Sequence, residues 1–291
     1  MSTYNGEKYI REQLDSILQQ SLPVEILIRD DGSSDGTIAI IEDYIANGAP
    51  VELIKGENVG VIASFFALIK AAPESDFYAF SDQDDYWLED KIKNAVEMLG
   101  TEDMPMLYCS DTYLVDGDLN VIKQEDRNPR PSFGNAIVEN ICTGCTAVGN
   151  RQFIEKIREN IPDTTKIIMH DWWLYLIAEL YGKTVFDHNA QIYYRQHGNN
   201  EWGAKTSKWK VYKYRFKQLF AKRGQIYRQL EELEKCCGKD MKPEQVKLVK
   251  NLSDSEKSLS ARIKLYGDKM IYRNESSRDL VYRLAMLTGK L

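Results

Sequence analysis

Val24 to Thr37 reads VEILIRDDGSSDGT, an apolar, β-branched run that stops on two aspartates and then turns on glycine. The run predicts a buried strand, and Gly36 with Thr37 opens a helix in which Ile38, Ile41 and Ile45 recur at helical spacing. The same strand-then-helix unit recurs downstream. Val51 to Ile54 predicts a second strand, Asn58 to Gly60 a turn, and Ile62 to Ala72 a helix ended by Pro73. Phe77 to Ser81 predicts a third strand, followed by an acidic loop and a helix from about Leu88 to Leu99, and Met106 to Ser110 predicts a fourth strand. Such alternation specifies an α/β fold built on a mostly parallel sheet with right-handed helical crossovers.

From Asp111 the rhythm changes. Asp116-Gly117 predicts a hairpin turn, Cys142 to Val148 a strand, Asp171 to Tyr181 a helix, and Thr184 to Arg195 a strand-rich stretch. This segment is expected to complete a site rather than add another βα unit. Beyond Gly203 the chain turns helical: Trp209, Tyr212, Phe216, Leu219, Ile226, Leu230 and Leu233 follow a 3/4 spacing with one break at Arg223. Gly238 predicts a turn and Pro243 starts a second helix carrying Val249, Leu252, Leu259, Ile263 and Tyr266, with a short last helix at Leu280 to Leu287. The expected organisation is a catalytic domain over residues 1–204 and a helical region over 205–291.

The 291 residues are 43% hydrophobic and 28% charged, which excludes disorder and a collagen-like chain. The richest apolar stretch, Val59 to Ala72, is interrupted by Gly60, Ser64 and Lys70, so neither a membrane-spanning helix nor a secretory signal is expected. Five cysteines (Cys109, Cys142, Cys145, Cys236, Cys237) point to a reducing compartment rather than a disulfide framework. Charge is divided unevenly. Residues 1–204 hold 16 Lys and Arg against 34 Asp and Glu, whereas the remainder holds 22 against 10, an acidic body with a basic tail.

In an open parallel sheet, ligands bind beyond the carboxyl ends of the strands. Those ends carry Ser2-Thr3-Tyr4-Asn5, then Asp30-Asp31-Gly32-Ser33-Ser34-Asp35, then Asp82-Gln83-Asp84-Asp85. Three carboxylates within four residues repel one another, and a hard divalent cation, Mg²⁺ or Mn²⁺, is their natural guest and in turn holds nucleotide phosphates. A solvated acidic turn capping the next helix would use the same residue types, but a second acidic strand end at Asp30-Asp31 favours the metal. A carboxylate at Asp30 or Asp31 could also accept the imide N–H of uracil or thymine. Asp171 lies at a helix start beside Trp172 and Trp173. It is either a cap over two core tryptophans or a base in apolar surroundings whose rings offer a sugar a flat platform.

These residues together resemble a known family. Thr3-Tyr4-Asn5-Gly6, the DDGSSDGT stretch from Asp30 to Thr37, Asn58-Val59-Gly60 and Ser81-Asp82-Gln83-Asp84-Asp85 resemble the inverting family 2 glycosyltransferases of GT-A fold. Thr143-Gly144-Cys145, His170-Asp171-Trp172-Trp173 and Tyr194-Arg195-Gln196-His197-Gly198 resemble the bacterial rhamnosyltransferase branch that builds cell-wall and capsular polysaccharide. The resemblance covers about residues 1–204. It implies that Asp84 holds Mn²⁺ or Mg²⁺ with Asp82 near the ribose and the metal, that His197 approaches the metal or the diphosphate, and that Asp30 or Asp31 contacts the base. Ser2, Thr3 and Tyr4 would line the nucleotide pocket, Arg195 would lie on the donor side, and Asp171 would be the catalytic base. Thr143, Gly144, Cys145, Trp172 and Trp173 would form the acceptor side. By the same resemblance Met1-Ser2-Thr3-Tyr4 corresponds to the end of the first strand, whose body is expected upstream.

The implied activity is metal-dependent, inverting transfer of a sugar, L-rhamnose from dTDP-β-L-rhamnose or a hexose from a UDP-sugar, onto a lipid-linked glycan. The expected setting is the cytoplasmic face of a bacterial plasma membrane. The tail suits that setting, since Lys205 to Arg228 carries nine Lys or Arg and no acid among Trp209, Tyr212, Tyr214, Phe216, Phe220 and Tyr227. Cations with interleaved aromatics make an interfacial helix for an anionic membrane surface, although a helical hairpin packed on the body would use the same pattern. No nucleic-acid partner is expected, since the acidic body would oppose one. The Cys142-Cys145 pair lacks a second pair at zinc-site spacing. A nucleotide-sugar pyrophosphorylase would open with a glycine-rich basic phosphate loop, which is absent, and a non-catalytic membrane adaptor would have no use for two acidic strand ends.

Overall fold

The computed structural model describes residues 1–196 and 224–288. Three parallel strands form one sheet in the order β1 (Ser2–Thr3), β2 (Ile26–Asp30), β3 (Val51–Lys55). Helices α1 (Ile10–Leu18), α2 (Thr37–Ala46) and α3 (Val61–Ala71) connect and follow these strands. Apolar residues of α1 recur at Ile10, Leu14 and Ile17, the 3/4 spacing that lays one face on the sheet. The second sheet has the order β10 (Lys183–Asp187), β6 (Met106–Ser110), β9 (Val148–Asn150), β4 (Phe77–Ala79), with β6 and β10 parallel and β9 antiparallel to both its neighbours. A third, smaller sheet joins β5 (Tyr86–Trp87), β11 (Ile192–Arg195), β7 (Tyr113–Val115) and β8 (Val121–Gln124).

Every strand and helix expected between Val24 and Ser110 is present within a few residues. Two expectations shift. Cys142 to Val148 is not one strand: Gly144–Thr146 forms a single 3₁₀ turn, and β9 begins only at Val148 because the Thr146 and Ala147 amides bond back to Thr143 and Gly144 carbonyls. The second tail helix ends sooner than its spacing suggests. The chain runs as α9 (Pro243–Lys257) and then α10 (Leu259–Tyr266), because Ser258 is extended and its hydroxyl caps the Ala261 amide. Helices α4 (Lys91–Leu99), α5 (Phe133–Ala136), α6 (Arg151–Glu159), α7 (His170–Tyr181), α8 (Gln225–Cys237) and α11 (Ser276–Leu287) complete the described elements.

The core lies on both faces of the sheets. One cluster joins Phe65, Ile69 and Phe153 to the apolar side of α7 and to Leu230, Leu233, Val249 and Tyr282 of the C-terminal helices. The other packs Ile10, Leu14, Ile28, Ile41, Ile92 and Leu99 on the opposite face. The C-terminal region also bonds polar groups of the body: in α8 the Gln229 side chain accepts from the Ile168 amide at 2.9 Å and Glu232 from the Asp163 amide at 2.9 Å, and between α10 and α11 Arg273 donates to the Val138 carbonyl at 2.8 Å. The described part of the tail therefore packs on the body, including Tyr227 at the end of the basic aromatic run, while residues 205–223, which hold most of that run, are outside the described residues. Among the described residues no helix is long and apolar enough to cross a membrane.

Candidate active site

Strands β1, β2 and β4 end on the same side, so the three polar strand ends meet there. Asp30 is fully buried and spends its carboxylate on the turn that follows, accepting from the amides of Gly32 at 3.1 Å and Ser33 at 2.8 Å and from the Thr3 hydroxyl at 3.0 Å. Gly32 has φ +85°, and a Cβ there would lie 3.2 Å from the Asn58 nitrogen, so the turn needs glycine on both conformational and steric grounds. Asp31, the first residue past β2, points the other way. It accepts from the Val59 and Gly60 amides at 2.9 and 2.8 Å and from the Arg29 guanidinium. Burial alone would raise its pKa, but these bonds hold it below the ordinary carboxylate value.

The β1 loop is tied to both acidic loops. Gln83 clamps Tyr4 through two bonds, accepting from its amide at 2.8 Å and donating to its carbonyl at 3.0 Å, while Asn5, at φ 49°, accepts from the Ser34 amide at 2.8 Å. A cavity of about 500 Å³ opens between these loops. Ser2, Thr3, Tyr4, Asp31, Asp82, Asp84 and Arg195, all singled out in the sequence, line it, together with Asn58, Gly60, Val61, Gln83 and Tyr194. Asp30 does not line it. Of the two candidate base contacts, only Asp31 faces the cavity.

Crowding in the acidic loop is electrostatically costly. Burial, then repulsion from Asp84 and Asp171, pushes Asp82 up to about 7 against the opposing Met1 ammonium, and burial with the Asp82 and Asp84 charges pushes Asp85 well above the carboxylate range. One Asp85 oxygen is buried without a hydrogen-bond partner among the described residues. Lys91 is buried with its Nζ 3.6 Å above the Trp87 ring and without a hydrogen-bond partner among the described residues; burial lowers it to about 7, against the opposing pull of Cys145 and Asp85. A cluster of mutually repelling carboxylates at the wall of an open cavity fits a divalent cation. Two donor sets share Asp82: Asp82 with Asp84 on the cavity wall, and Asp82 with Asp85 and Cys145, whose ligand atoms lie within 4.8 Å of one another in the protein. Only the first is open to a phosphate, and its all-oxygen donors suit Mn²⁺ or Mg²⁺.

Arg195 is almost wholly buried. Its Nε donates to the Asp84 carbonyl at 2.8 Å, its amide to Asp85 at 3.1 Å, its guanidinium reaches Glu12 and the Gly117 carbonyl, and it stacks 4.5 Å over Tyr9. It therefore braces the acidic loop as well as lining the cavity. Asp171 is the second residue of α7, one place past the first helical residue, while Met169 holds the cap position without a side-chain bond. Burial pushes Asp171 up to about 6, and bonds from the Trp172 amide, the Asn140 side chain and the Gly144 amide limit the rise. Asp171 also raises Asp82 through space, so the two carboxylates belong to one electrostatic unit.

Thr143, Gly144 and Cys145 lie between these groups. A Cβ on Gly144 would stand 3.0 Å from the His170 ring and 3.4 Å from Asp171, and Cys145 is buried against Asp85. Trp172 is half-buried and donates to the Ala136 carbonyl at 2.7 Å. The expectation for Trp173 needs correction: it is 0% exposed, in the core with its Nε1 bonded to Asn160, so it offers no platform to an acceptor. Its position one residue after Trp172 turns it about 100° around the helix, into the protein. His197 lies outside the described residues. Gln83, Arg29 and Glu12 were not singled out in the sequence. Gln83 stood inside the quoted acidic loop, and Arg29 was legible as a cation ending an apolar strand, but nothing local marks Glu12.

The family profile for glycosyl transferase family 2 matches residues 1–158, and the chain belongs to that family. It is 32% identical over 241 residues to the dTDP-rhamnosyl transferase RfbG of Shigella flexneri, covering 78% of this chain and 81% of RfbG. Among solved structures it resembles S. aureus TarS 1-349 in complex with UDP-GlcNAc, with TM-score 0.58 and 18% identity over 100% of this chain and 80% of that one. It also resembles the mannosyltransferase PcManGT of Pyrobaculum calidifontis in complex with GDP-Man and Mn²⁺, with TM-score 0.52 and 16% identity over 99% and 84% of the two chains. The chain is thus a family 2 glycosyltransferase of GT-A-like fold.

Proposed function

We propose that this glycosyltransferase moves L-rhamnose from dTDP-β-L-rhamnose to a glycan acceptor, with inversion at the anomeric carbon, in bacterial cell-surface polysaccharide synthesis. The observation that carries the reading is one cavity that joins the β1 loop, Asp31 and the acidic loop, with a buried carboxylate of raised pKa, Asp171, electrostatically coupled to its wall. The likeness to RfbG supports dTDP-rhamnose as donor.

Asp31 accepts the imide N–H of the thymine ring, and Ser2, Thr3 and Tyr4 enclose the nucleoside. Asp82 and Asp84 hold the divalent cation, which when bound supplies positive charge to the departing diphosphate. Asp171 takes the proton of an acceptor hydroxyl as that oxygen attacks the anomeric carbon. The bond from that carbon to the diphosphate oxygen breaks on the opposite face, and dTDP leaves. Trp172 borders the acceptor.

The acceptor is a lipid-linked glycan at the cytoplasmic face of the plasma membrane. Leu259, Ile263, Met270, Leu280 and Leu284, each more than half exposed on the basic C-terminal part, support contact with lipid. A donor screen tests the reading: release of nucleoside diphosphate is measured from a panel of dTDP-, UDP- and GDP-sugars with Mn²⁺. Turnover of dTDP-rhamnose above all others is expected. Preference for a UDP-hexose would transfer the reading to that donor, and no turnover with any sugar nucleotide would favour a non-catalytic adaptor.

A further inference from the structure

Gln83 stands between the two proposed metal carboxylates, Asp82 and Asp84, and lines the same cavity. Its side chain reaches away from the acidic loop to the β1 loop, where Oε1 accepts from the Tyr4 amide at 2.8 Å and Nε2 donates to the Tyr4 carbonyl at 3.0 Å. Exchanging both bonds with one residue is what a backbone partner does in an antiparallel ladder, so the side chain stands in for a strand neighbour. The task needs a neutral amide. A carboxylate would accept from the Tyr4 amide but has nothing to donate to its carbonyl, and it would add a fourth negative charge to the loop.

Room for the clamp comes from Gly6. A Cβ there would stand 2.5 Å from the Gln83 Cδ and closer still to its Oε1, while the Gly6 backbone is not in the positive-φ region. The glycine is required by the side chain packed on it, not by its own conformation. On its far side the β1 loop is fastened to the loop after β2. The Asn5 amide donates to the Ser33 hydroxyl at 2.8 Å, the Gly6 amide to Thr37 Oγ1 at 2.8 Å and the Gly36 amide to the Glu7 carboxylate at 2.9 Å. The acidic loop, the β1 loop and the turn beside Asp31 are thereby linked in series, with Gln83 as the joint between the first two.

We propose that Gln83 is a positioning residue that couples the metal carboxylates to the nucleoside pocket, so that a cation held by Asp82 and Asp84 orders the β1 loop before any phosphate is present. The coupling rests on the proposed metal role of Asp82 and Asp84 and not on the identity of the sugar donor. Linkage makes it reciprocal: a nucleoside enclosed by Ser2, Thr3 and Tyr4 raises cation affinity by the factor with which the cation raises nucleoside affinity.

The test measures amide hydrogen exchange in residues 1–7 and 30–37 with and without Mn²⁺ alone, in the wild type, Gln83→Ala, Gly6→Ala and the double variant. Mn²⁺ is expected to slow exchange in both segments at least about fivefold in the wild type and less than about twofold in the three variants, although every carboxylate remains. Thermal unfolding adds a check on the joint itself. Gly6→Ala should lower the midpoint when Gln83 is present and leave it unchanged or raised in the Gln83→Ala background, where the collision is gone and alanine restricts the unfolded chain. A wild type without the Mn²⁺ response, a Gln83→Ala protein that keeps it, or a Gly6→Ala cost equal in both backgrounds would each overturn the proposal. If Gln83→Ala does not fold, a full Mn²⁺ response in Gly6→Ala overturns it equally. A wild type that shows the response and binds no dTDP would count against the proposed donor and leave the coupling standing.

Discussion

Replacing Asp171 by asparagine separates a catalytic carboxylate from a structural one, because the change keeps the size, leaves one acceptor oxygen, puts an NH2 donor in place of the other and removes the charge. General-base assistance is worth about 10² to 10⁴ in rate, or roughly 3–5 kcal/mol of barrier, so sugar transfer is expected to fall by that range. Donor affinity should change far less than turnover, since Asp31, Asp82 and Asp84 line the cavity and Asp171 does not, and loss of the Asp171 charge only eases ionisation of Asp82. Stability should move in the opposite direction from activity. The carboxyl is held at about 6 in the folded protein against an ordinary 3.8, so the folded state binds its proton more tightly. That preference favours folding below about pH 4 and is lost as pH rises through about 6, leaving at neutral pH a cost on the order of 3 kcal/mol for keeping the ion. Asparagine carries no such cost, so Asp171→Asn should unfold at the same or higher urea concentration at pH 8. In the wild type, kcat should fall on the acid side with a midpoint near pH 6, and the variant should lack that limb. The assays are initial-rate transfer to acceptor over pH 5–9, calorimetric donor binding and urea melts. Near-normal turnover in a variant of equal stability would refute the role and move the base elsewhere between Asp111 and His197.

Asp84→Ala should abolish the Mn²⁺ dependence of donor binding while leaving the fold intact, since it removes one of several repelling charges; calorimetry with dTDP with and without Mn²⁺ checks this, and an unchanged metal effect would exclude Asp84 as a ligand. Trp173→Ala should cost about 3–5 kcal/mol of stability, whereas Trp172→Ala should unfold closer to wild type and raise the acceptor KM; matched losses in denaturant melts would contradict the burial difference. The tail should bind anionic vesicles with an affinity that weakens with salt, each basic residue near the surface being worth on the order of 1 kcal/mol, and equal sedimentation with neutral and anionic lipid would count against a membrane role.

Local pattern determined the βα units and the polar strand ends. The 2-residue and 3.6-residue periods of VEILIR and of the helix after Thr37 are written in neighbouring residues, and the acidic composition of residues 82–85 is equally local. Tertiary structure decided everything that depends on direction. Asp30 and Asp31 are indistinguishable in sequence, yet their opposite directions at the end of β2 send one into a turn and the other to the cavity wall. Trp172 and Trp173 are likewise adjacent, and only the seating of α7 against α5 and α6 puts the second wholly inside the core. The Cys142 to Val148 segment has strand-forming residues, but its backbone bonds close locally into a turn because the chain must pass between Asp171 and the acidic loop. Arg195 lies more than a hundred residues from Asp84 and Asp85, and its brace on that loop exists only because β11 runs beside β5. Propensity and period act over a few residues, whereas burial, charge coupling and cavity walls are set by partners distant in the chain, and those partners fix which of several chemically equivalent side chains faces the cavity.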